Sequence, residues 1–417
     1  MVIAFCMKGK HQGCLFLFRV NSLKWVSDVY VGRRIKMIYL DNSATTPVDP
    51  EVLTAFTKVN QNFWGNPSSL HAFGARAEQL LIQAEKQTLS LLNARQHKVI
   101  FTSGATESNN LAIRGLCHAY KSRGRHIITT PIEHASVHET IEELAGEGFR
   151  VTYIDVKKNK KEMLQQIESA ICDDTILISC MHVNNEMGMI FPIYEIGQLI
   201  KKYPKVKFHV DAVQSIGKIP VDMEKMNIDL LSLSAHKFHG VKGSGALIMN
   251  QYLKLTPEIT GGHQMYGIRS GTINVAGAVA LAKALRLAIE PLEQNYKHTK
   301  ELYEYTVSEL KKMDDIIVND VAAEQTPYII NFAVNHIKGE TLVHALEEYD
   351  IYISAKSACS SKSAQASRIL LSLGVSEEVA LESVRVSFSN LTTLEDVNKF
   401  LKALKLVIVQ MRKEMMK

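Results

Sequence analysis

The sequence predicts an α/β fold built around a large, mostly parallel sheet, followed by a smaller α+β part. From about residue 50 to residue 290, short runs of β-forming residues alternate with longer stretches of helical periodicity. This alternation is typical of consecutive βαβ units. After Pro291 the pattern changes, because a long charged helical stretch at 292–313 leads into shorter apolar runs.

The individual elements follow from short runs rich in Val, Ile and Leu, with helical patterns between them. Candidate strands of the large sheet lie at 99–102, 126–130, 151–154, 175–180, 207–210, 230–233 and 246–249. Helical stretches such as 107–123 and 136–147 separate them, and the smaller part has candidate strands near 329–334 and 384–388.

Charge and cysteine usage narrow the class of protein. The 417 residues carry a formal net charge of +5, but residues 1–36 alone contribute +6 and the remainder sums to −1. The body of the chain is therefore not predicted to bind nucleic acid or membrane. Six cysteines without paired spacing indicate free thiols in a reducing, cytoplasmic compartment.

The basic N-terminal segment has two interpretations. Its only apolar burst, residues 14–18, is too short for a signal sequence or a membrane span, although its acid-poor composition could suit an organelle transit peptide. We favour translation starting at Met37, with residues 1–36 an extension without function.

Two neighbouring apolar runs end in residues that suit pyridoxal phosphate. The run at 206–210 leads to Asp211, and the run at 230–233 leads to Lys237. An Asp can keep a pyridine nitrogen protonated, and a Lys can bind an aldehyde covalently. The pair therefore predicts this cofactor.

Other polar residues follow the ends of predicted strands, where ligands collect in parallel sheets. The string Ser103-Gly104-Ala105-Thr106-Glu107 opens a helix and suits a phosphate, although an ordinary helix cap would explain it equally well. Further strands deliver Glu133 and His134, and then His182, Asn184 and Asn185. Each alone could be a loop His or a turn-forming Asn, but their shared placement favours a site.

Metal binding is not predicted. His134 with His138, and His236 with His239, have suitable spacing, but no acidic or Cys partner completes either pair. His236 is better explained as a neighbour of Lys237.

Cys359 is the candidate nucleophile. It lies among small polar residues with Lys356 and Lys362 on either side, and cations near an exposed thiol increase its thiolate fraction. The alternative is an inert surface thiol. Downstream, Arg385 could bind a substrate carboxylate bidentately, or form a salt bridge at a domain interface.

Together these strings resemble a known family, the cysteine desulfurases related to the nitrogen-fixation and housekeeping iron–sulfur enzymes. The resemblance rests on YLDNSATTPVDP, GNPSSLH, FTSGATESNN, EHASV, HVNNEMG, HVDAVQS, SAHKFHG, RSGT and SACSS, in order from Met37 to the C-terminus. It implies a homodimer of the aspartate-aminotransferase fold type, similar to class V aminotransferases. It also implies a large cofactor-binding domain at 52–294 and a small domain formed by 37–51 and 295–417.

The resemblance implies a role for each matching residue. Lys237 would hold pyridoxal phosphate, Asp211 would pair with its ring nitrogen, and His134 would stack on the ring. The ring-oxygen contacts would be Asn185 and Gln214; the phosphate contacts would be Ala105, Thr106, Ser234 and His236, with Thr272 from the other subunit; and the substrate-carboxylate contacts would be Asn66 and Arg385.

The implied reaction converts L-cysteine to L-alanine, leaves a persulfide on Cys359 and passes the sulfur to an acceptor protein. Two features depart from the family pattern. Met265 replaces the usual acidic residue before RSGT, and CSSKSAQAS resembles members that donate sulfur for tRNA thiolation rather than iron–sulfur assembly. Alternatives are a selenocysteine lyase, an aminotransferase-like enzyme, or a non-catalytic sulfur-relay platform.

Overall fold

The structure, a computed structural model, describes residues 37–320, 324–355 and 365–415. Within it, Ile38–Lys417 forms one compact unit. Among these residues, no helix has the length and apolar character needed to cross a membrane.

Twelve strands and twelve α-helices are defined in the described part of the chain. The strands are β1 Ile38–Tyr39, β2 His97–Thr102, β3 His126–Thr129, β4 Arg150–Tyr153, β5 Thr175–Met181, β6 Lys207–Asp211, β7 Leu230–Ser234, β8 Gly245–Asn250, β9 Ile316–Val318, β10 Ile329–Val334, β11 Ile351–Tyr352 and β12 Ser383–Ser387. The helices are α1 Pro50–Asn62, α2 Ala72–Leu91, α3 Ala105–Tyr120, α4 Ala135–Gly146, α5 Lys160–Ala170, α6 Ile193–Ile200, α7 Val275–Ile289, α8 Leu292–Leu310, α9 Gly339–Glu347, α10 Arg368–Ser372, α11 Glu377–Glu382 and α12 Leu394–Met415.

The central sheet has seven strands in the order β2-β8-β7-β6-β5-β3-β4. Neighbours from β7 to β4 pair in parallel, whereas β8 is antiparallel to both β7 and β2. Every residue of β5 and β7 is buried, as expected for strands covered by helices on both faces. Because β2 runs in the same direction as β7, the carboxyl ends of β2, β3, β5, β6 and β7 share one edge.

A second, separate hydrophobic core lies around the sheet β12-β10-β9. Phe332 and Phe388 are almost fully buried there, and Phe400 of α12 packs with them. The short strand β1 pairs in parallel with β11 beside this core. Ile38 and Tyr39 are therefore held by residues more than 300 positions later.

The predicted strands all exist, with ends shifted by at most two residues. The mixed, mostly parallel sheet confirms the predicted fold class. The helical stretches predicted at 107–123, 136–147 and 292–313 correspond to α3, α4 and α8, whereas the other helices and the short strands β1, β9 and β11 were not predicted individually. The division into domains at 52–294 and at 37–51 with 295–417 stays a prediction.

Candidate active site

A cavity of about 560 Å³ lies at the shared carboxyl edge of the central sheet. That volume suits a small-molecule site. Loops after five strands contribute to it, together with the segment that follows β1. Its lining includes Ser43, Ala44, Thr45, Gly104, Ala105, Thr106, His134, Asn185, Asp211, Gln214, Ser234, His236, Lys237 and Arg385.

One end of the cavity is the N-terminus of α3. The N-cap residue is Gly104, which supplies no capping side chain, so the first N–H groups of the helix remain available beside Ala105 and Thr106. Gly245 of β8 makes this placement possible, since a Cβ there would come within 2.6 Å of Gly104 Cα. The exposed N–H groups and the helix dipole make this end suitable for a phosphate.

Ser234 and His236 lie beside the same end. Ser234 is buried at the end of β7, and His236 follows in the 3-10 helix Ala235–Lys237. His236 Nδ1 lies 3.1 Å from Thr45 Oγ1. Burial, with the nearby cations Lys237 and Lys242, lowers the pKa of His236 to about 4. The imidazole is therefore neutral at physiological pH and can hydrogen-bond an anion without adding charge.

Lys237 is oriented by a segment that sequence reasoning did not assign to the site. Its Nζ donates to the carbonyl oxygens of Ser43 at 2.6 Å and Ala44 at 2.8 Å. These residues belong to the YLDNSATTPVDP string, which carried the resemblance without a stated role. The carbonyls hold the amine at the cavity wall, where a cofactor aldehyde could reach it.

Asp211 ends β6 and is buried. Its Oδ1 accepts from the Val213 amide at 3.0 Å, and its Oδ2 accepts from Asn109 Nδ2 at 2.9 Å. These bonds hold the carboxylate in one orientation in the cavity lining. Asn109 was not singled out from the sequence, because it is an ordinary position inside the α3 pattern.

His134 is the N-cap residue of α4, which it caps with its imidazole. Nδ1 accepts from the Ser136 amide at 3.2 Å and lies 2.8 Å from Ser136 Oγ. Burial lowers the pKa of His134, although Asp211 opposes this effect. The ring belongs to the cavity lining.

Asn185 and Gln214 also line the cavity, but their side-chain amides differ in their hydrogen bonds. Asn185 Oδ1 is buried without a hydrogen-bond partner. By contrast, Gln214 Nε2 donates to Ser43 O at 2.9 Å, and its Oε1 accepts from Lys218 Nζ at 2.7 Å. Asn185 therefore has an atom that a ligand could satisfy, whereas Gln214 is already held by the protein.

Arg385 lines the cavity and also forms an ion pair with Asp41. It lines the cavity from β12 and is only 2% exposed, and it donates to Asp41 Oδ1 and to the Asn185 carbonyl, both at 2.7 Å. Its Nε has no partner. The guanidinium therefore reaches the cavity while an ion pair with Asp41 fixes it.

Three predicted site residues are not in this cavity lining. Asn66 is exposed, and its Oδ1 accepts from the Ser68 amide at 2.9 Å. Thr272 is exposed on its own chain. Cys359 lies outside the described residues. The roles of all three stay predictions.

The other strand-end candidates lie outside the cavity lining. Asn184 Oδ1 accepts from the amides of Glu186 and Met187, at 2.9 and 2.8 Å, so it is the turn-forming Asn of the alternative interpretation. His182 is buried outside the cavity lining, and burial lowers its pKa to about 4. Glu133 is fully buried, with a pKa raised to about 8 by burial.

A group of potential metal ligands lies away from the cavity. In the described ranges, three potential ligand side chains meet at His336, Glu378 and Glu382, away from the cavity. Glu382 Oε1 already accepts from the His336 amide at 2.8 Å, and the other two side chains are exposed. This group carries no argument for a metal centre.

The cavity fits pyridoxal phosphate. The uncapped start of α3 matches a phosphate, the Asp211 carboxylate matches a pyridinium nitrogen, and the Lys237 amine matches an aldehyde. The unpaired Asn185 Oδ1 leaves a polar atom for the ligand.

Comparison with known proteins gives the same family. The family model aminotransferase class-V matches residues 38–400. A NifS/IcsS protein homolog of Lactobacillus delbrueckii subsp. bulgaricus is 43% identical over 372 residues, covering 88% of this chain and 96% of that protein. The cysteine desulfurase IscS of Vibrio cholerae serotype O1 is 41% identical over 381 residues, covering 90% and 93%.

Comparison with solved structures also finds proteins of this kind. A NifS-like protein superposes with a TM-score of 0.82 at 35% identity, covering 89% of this chain and 99% of that one. A structure of SspA in complex with cysteine gives a TM-score of 0.72 at 32% identity, covering 85% and 99%. This chain belongs to the class-V aminotransferase family, within its group of NifS/IscS cysteine desulfurases.

Proposed function

We propose that the protein is a pyridoxal-phosphate-dependent L-cysteine desulfurase that converts L-cysteine to L-alanine and collects the sulfur as a persulfide on Cys359. The observation that carries the proposal is the meeting of the Lys237 amine, the Asp211 carboxylate and the uncapped start of α3 on one cavity. When bound, the cofactor supplies an electron sink that weakens bonds at the α- and β-carbons of an amino acid.

The chain's own residues would bind and orient both molecules. Ala105, Thr106, Ser234 and His236 would hold the phosphate, with Asn185 and Gln214 on the ring-oxygen side. Asp211 would keep the ring nitrogen protonated. Arg385 would bind the substrate carboxylate, with its planar guanidinium already fixed by Asp41.

Proton movement falls to two residues at the cavity wall. Lys237 Nζ would shift the α-proton of the substrate. His134, which lines the same cavity, would hold a proton near the reacting carbons.

Both ends of the segment that carries Cys359 are attached near the cavity. On one side, Ser354 N donates to Arg385 O at 3.1 Å, and Arg385 N donates to Ser354 O at 2.6 Å. On the other side, Arg368 donates to the carbonyl of Glu133 at 2.7 Å. Residue 359 lies five positions after Ser354 in the sequence, and five residues span at most about 18 Å.

The sulfur step would be a nucleophilic displacement. The Cys359 thiolate attacks the substrate sulfur, so that an S–S bond forms and the substrate Cβ–S bond breaks. The carbon takes a proton and leaves as alanine. A reductant or an acceptor thiol then releases the sulfur.

The test is a comparison of two cysteine variants. Cys359→Ala should lower alanine formation from L-cysteine by at least about 100-fold while the cofactor absorbance persists. Cys172→Ala removes an exposed thiol and should leave turnover unchanged. Full alanine production by Cys359→Ala would overturn the persulfide mechanism.

We also propose a homodimer in which Thr272 completes the phosphate site of the other subunit, and a cytoplasmic location. The exposure of Thr272 supports the homodimer, and the free Cys117, Cys172 and Cys180 support the cytoplasmic location.

The sulfur acceptor would be an iron–sulfur scaffold, a tRNA-thiolating enzyme or both. Incubating the persulfide form, made with labelled cysteine, with each candidate shows which protein takes the label.

A further inference from the structure

We propose that Asn109 and Ser136 are positioning residues that link Asp211 to His134 and hold the His134 imidazole as the tautomer protonated on Nε2. The inference concerns the pocket of the proposed function. It rests on the directions of four hydrogen bonds and can be measured without turnover.

The link begins at Asp211. Asn109 Nδ2 donates one hydrogen to Asp211 Oδ2 at 2.9 Å and the other to Ser136 Oγ at 2.9 Å. Because an ionised carboxylate only accepts, it selects the orientation in which the amide nitrogen of Asn109 faces it. Asn109 Oδ1 is left buried without a partner, which is the cost of using both donors.

Ser136 connects Asn109 to His134 through its hydroxyl group. Since Ser136 Oγ accepts from Asn109, its own hydrogen is available for His134 Nδ1, 2.8 Å away. The Ser136 backbone amide, which can only donate, also points to Nδ1, at 3.2 Å. Two donors directed at Nδ1 exclude a proton there, so the neutral ring carries its proton on Nε2.

The surroundings keep the ring neutral. Burial lowers the pKa of His134 and the Lys237 cation lowers it further, while Asp211, Glu186 and Glu139 act in the opposite direction. His134 also lies at the positive end of α4. His134 therefore enters the reaction as an N–H donor at Nε2, not as a base at that atom.

The test is nitrogen NMR of the full-length holoenzyme labelled with ¹⁵N-histidine. The His134 signals are assigned by their loss in His134→Gln. The expected result at neutral pH is one unprotonated nitrogen, Nδ1, and one protonated nitrogen, Nε2.

Two variants weaken the link, and two others serve as controls. Ser136→Ala and Asn109→Leu should move both signals towards each other as the Nδ1-protonated form rises about fivefold relative to the other tautomer, the effect of one lost hydrogen bond. Ser136→Thr keeps the hydroxyl and should restore the original signals. Thr140→Val removes a hydroxyl one turn later in α4 that bonds Asn110 and Ser136 O, and should change nothing at His134.

A wild-type spectrum with a proton on Nδ1, or unchanged signals in both Ser136→Ala and Asn109→Leu, would overturn the inference. The comparison between variants separates a positioning role from a general packing role, because Thr140→Val perturbs the same helix. A protein with the expected spectrum but without desulfurase activity would contradict the proposed function alone.

Discussion

Lys218 Nζ donates to Gln214 Oε1 at 2.7 Å and so fixes the amide whose other end donates to the Ser43 carbonyl. That carbonyl also accepts from Lys237. Lys218 is buried, and burial, together with the cations Lys237 and Arg385, lowers its pKa to about 7. Lys218 thus fixes Gln214, which shares the Ser43 carbonyl with the active-site lysine, Lys237. The pKa of Lys218 lies near physiological pH.

Lys218 should make stability depend on pH. Its folded pKa lies below its ordinary value of 10.5, so the unfolded chain binds more protons between about pH 7 and pH 10.5. The free energy of unfolding should therefore rise with pH in that window by up to about 1.4 kcal/mol per pH unit. Urea unfolding at pH 7, 8 and 9 should show this slope lost in Lys218→Met and kept in the exposed control Lys402→Met. Equal slopes in wild type and Lys218→Met would contradict the assignment.

Glu133 should make the free energy of unfolding depend on pH in the opposite direction. Burial raises its pKa from 4.5 to about 8, so its contribution to stability is complete below about pH 4.5 and is lost as pH rises towards 8. Glu133→Gln mimics the protonated acid and should remove this loss, making the variant more stable than wild type above pH 8. Thermal unfolding across pH 6–9, with Glu301→Gln as an exposed control, measures the difference. A destabilised Glu133→Gln at every pH would show that the acid is ionised.

Gly245→Ala should weaken cofactor binding. A Cβ at this position would come within 2.6 Å of Gly104 Cα, so the start of α3 must move away from β8. We expect cofactor affinity, measured by absorbance titration, to fall by at least about tenfold, since the phosphate contacts depend on that helix end. Gly146→Ala is the matched control, because a Cβ there meets nothing within 4 Å. Unchanged affinity in Gly245→Ala would place the phosphate elsewhere.

Arg385→Lys should damage substrate binding more than the chemical step. Lysine keeps the charge but loses the planar fork that pairs with Asp41 and could pair with a substrate carboxylate. The KM for L-cysteine should rise by about 10- to 100-fold, with a smaller change in kcat. Arg412→Lys, which alters an ion pair with Asp315 outside the cavity, should leave the KM unchanged. An unaltered KM in Arg385→Lys would show that Arg385 does not bind the substrate carboxylate.

The sequence predicted the elements that local pattern determines. Strands such as β5 and β7 are continuous apolar runs because helices cover both faces of the sheet, so their positions could be read directly. Asp211 and Lys237 follow such strands, and the parallel arrangement brings them to one edge.

The contacts that orient these residues could not be predicted, since they join distant parts of the chain. The carbonyls that hold Lys237 belong to Ser43 and Ala44, almost 200 positions earlier, and backbone atoms leave no signature in residue type. Asn109 could not be recognised as a site residue from the sequence, because an amide inside an amphipathic helix is usually solvated. Asn184 shows the reverse error, in which a turn-forming residue resembled a ligand.

The dependence of Lys237 on the segment after β1 has a consequence for the order of synthesis. The Ser43 amide donates to Ser387 Oγ at 2.8 Å, and Asn42 Nδ2 donates to Ser387 O at 2.9 Å, so β12 anchors the carbonyls that orient the lysine. A nascent chain still lacking residue 387 has the lysine, the aspartate and the phosphate-binding helix, but it lacks that anchor. The reactive amine therefore acquires its working environment only after residue 387 has left the ribosome.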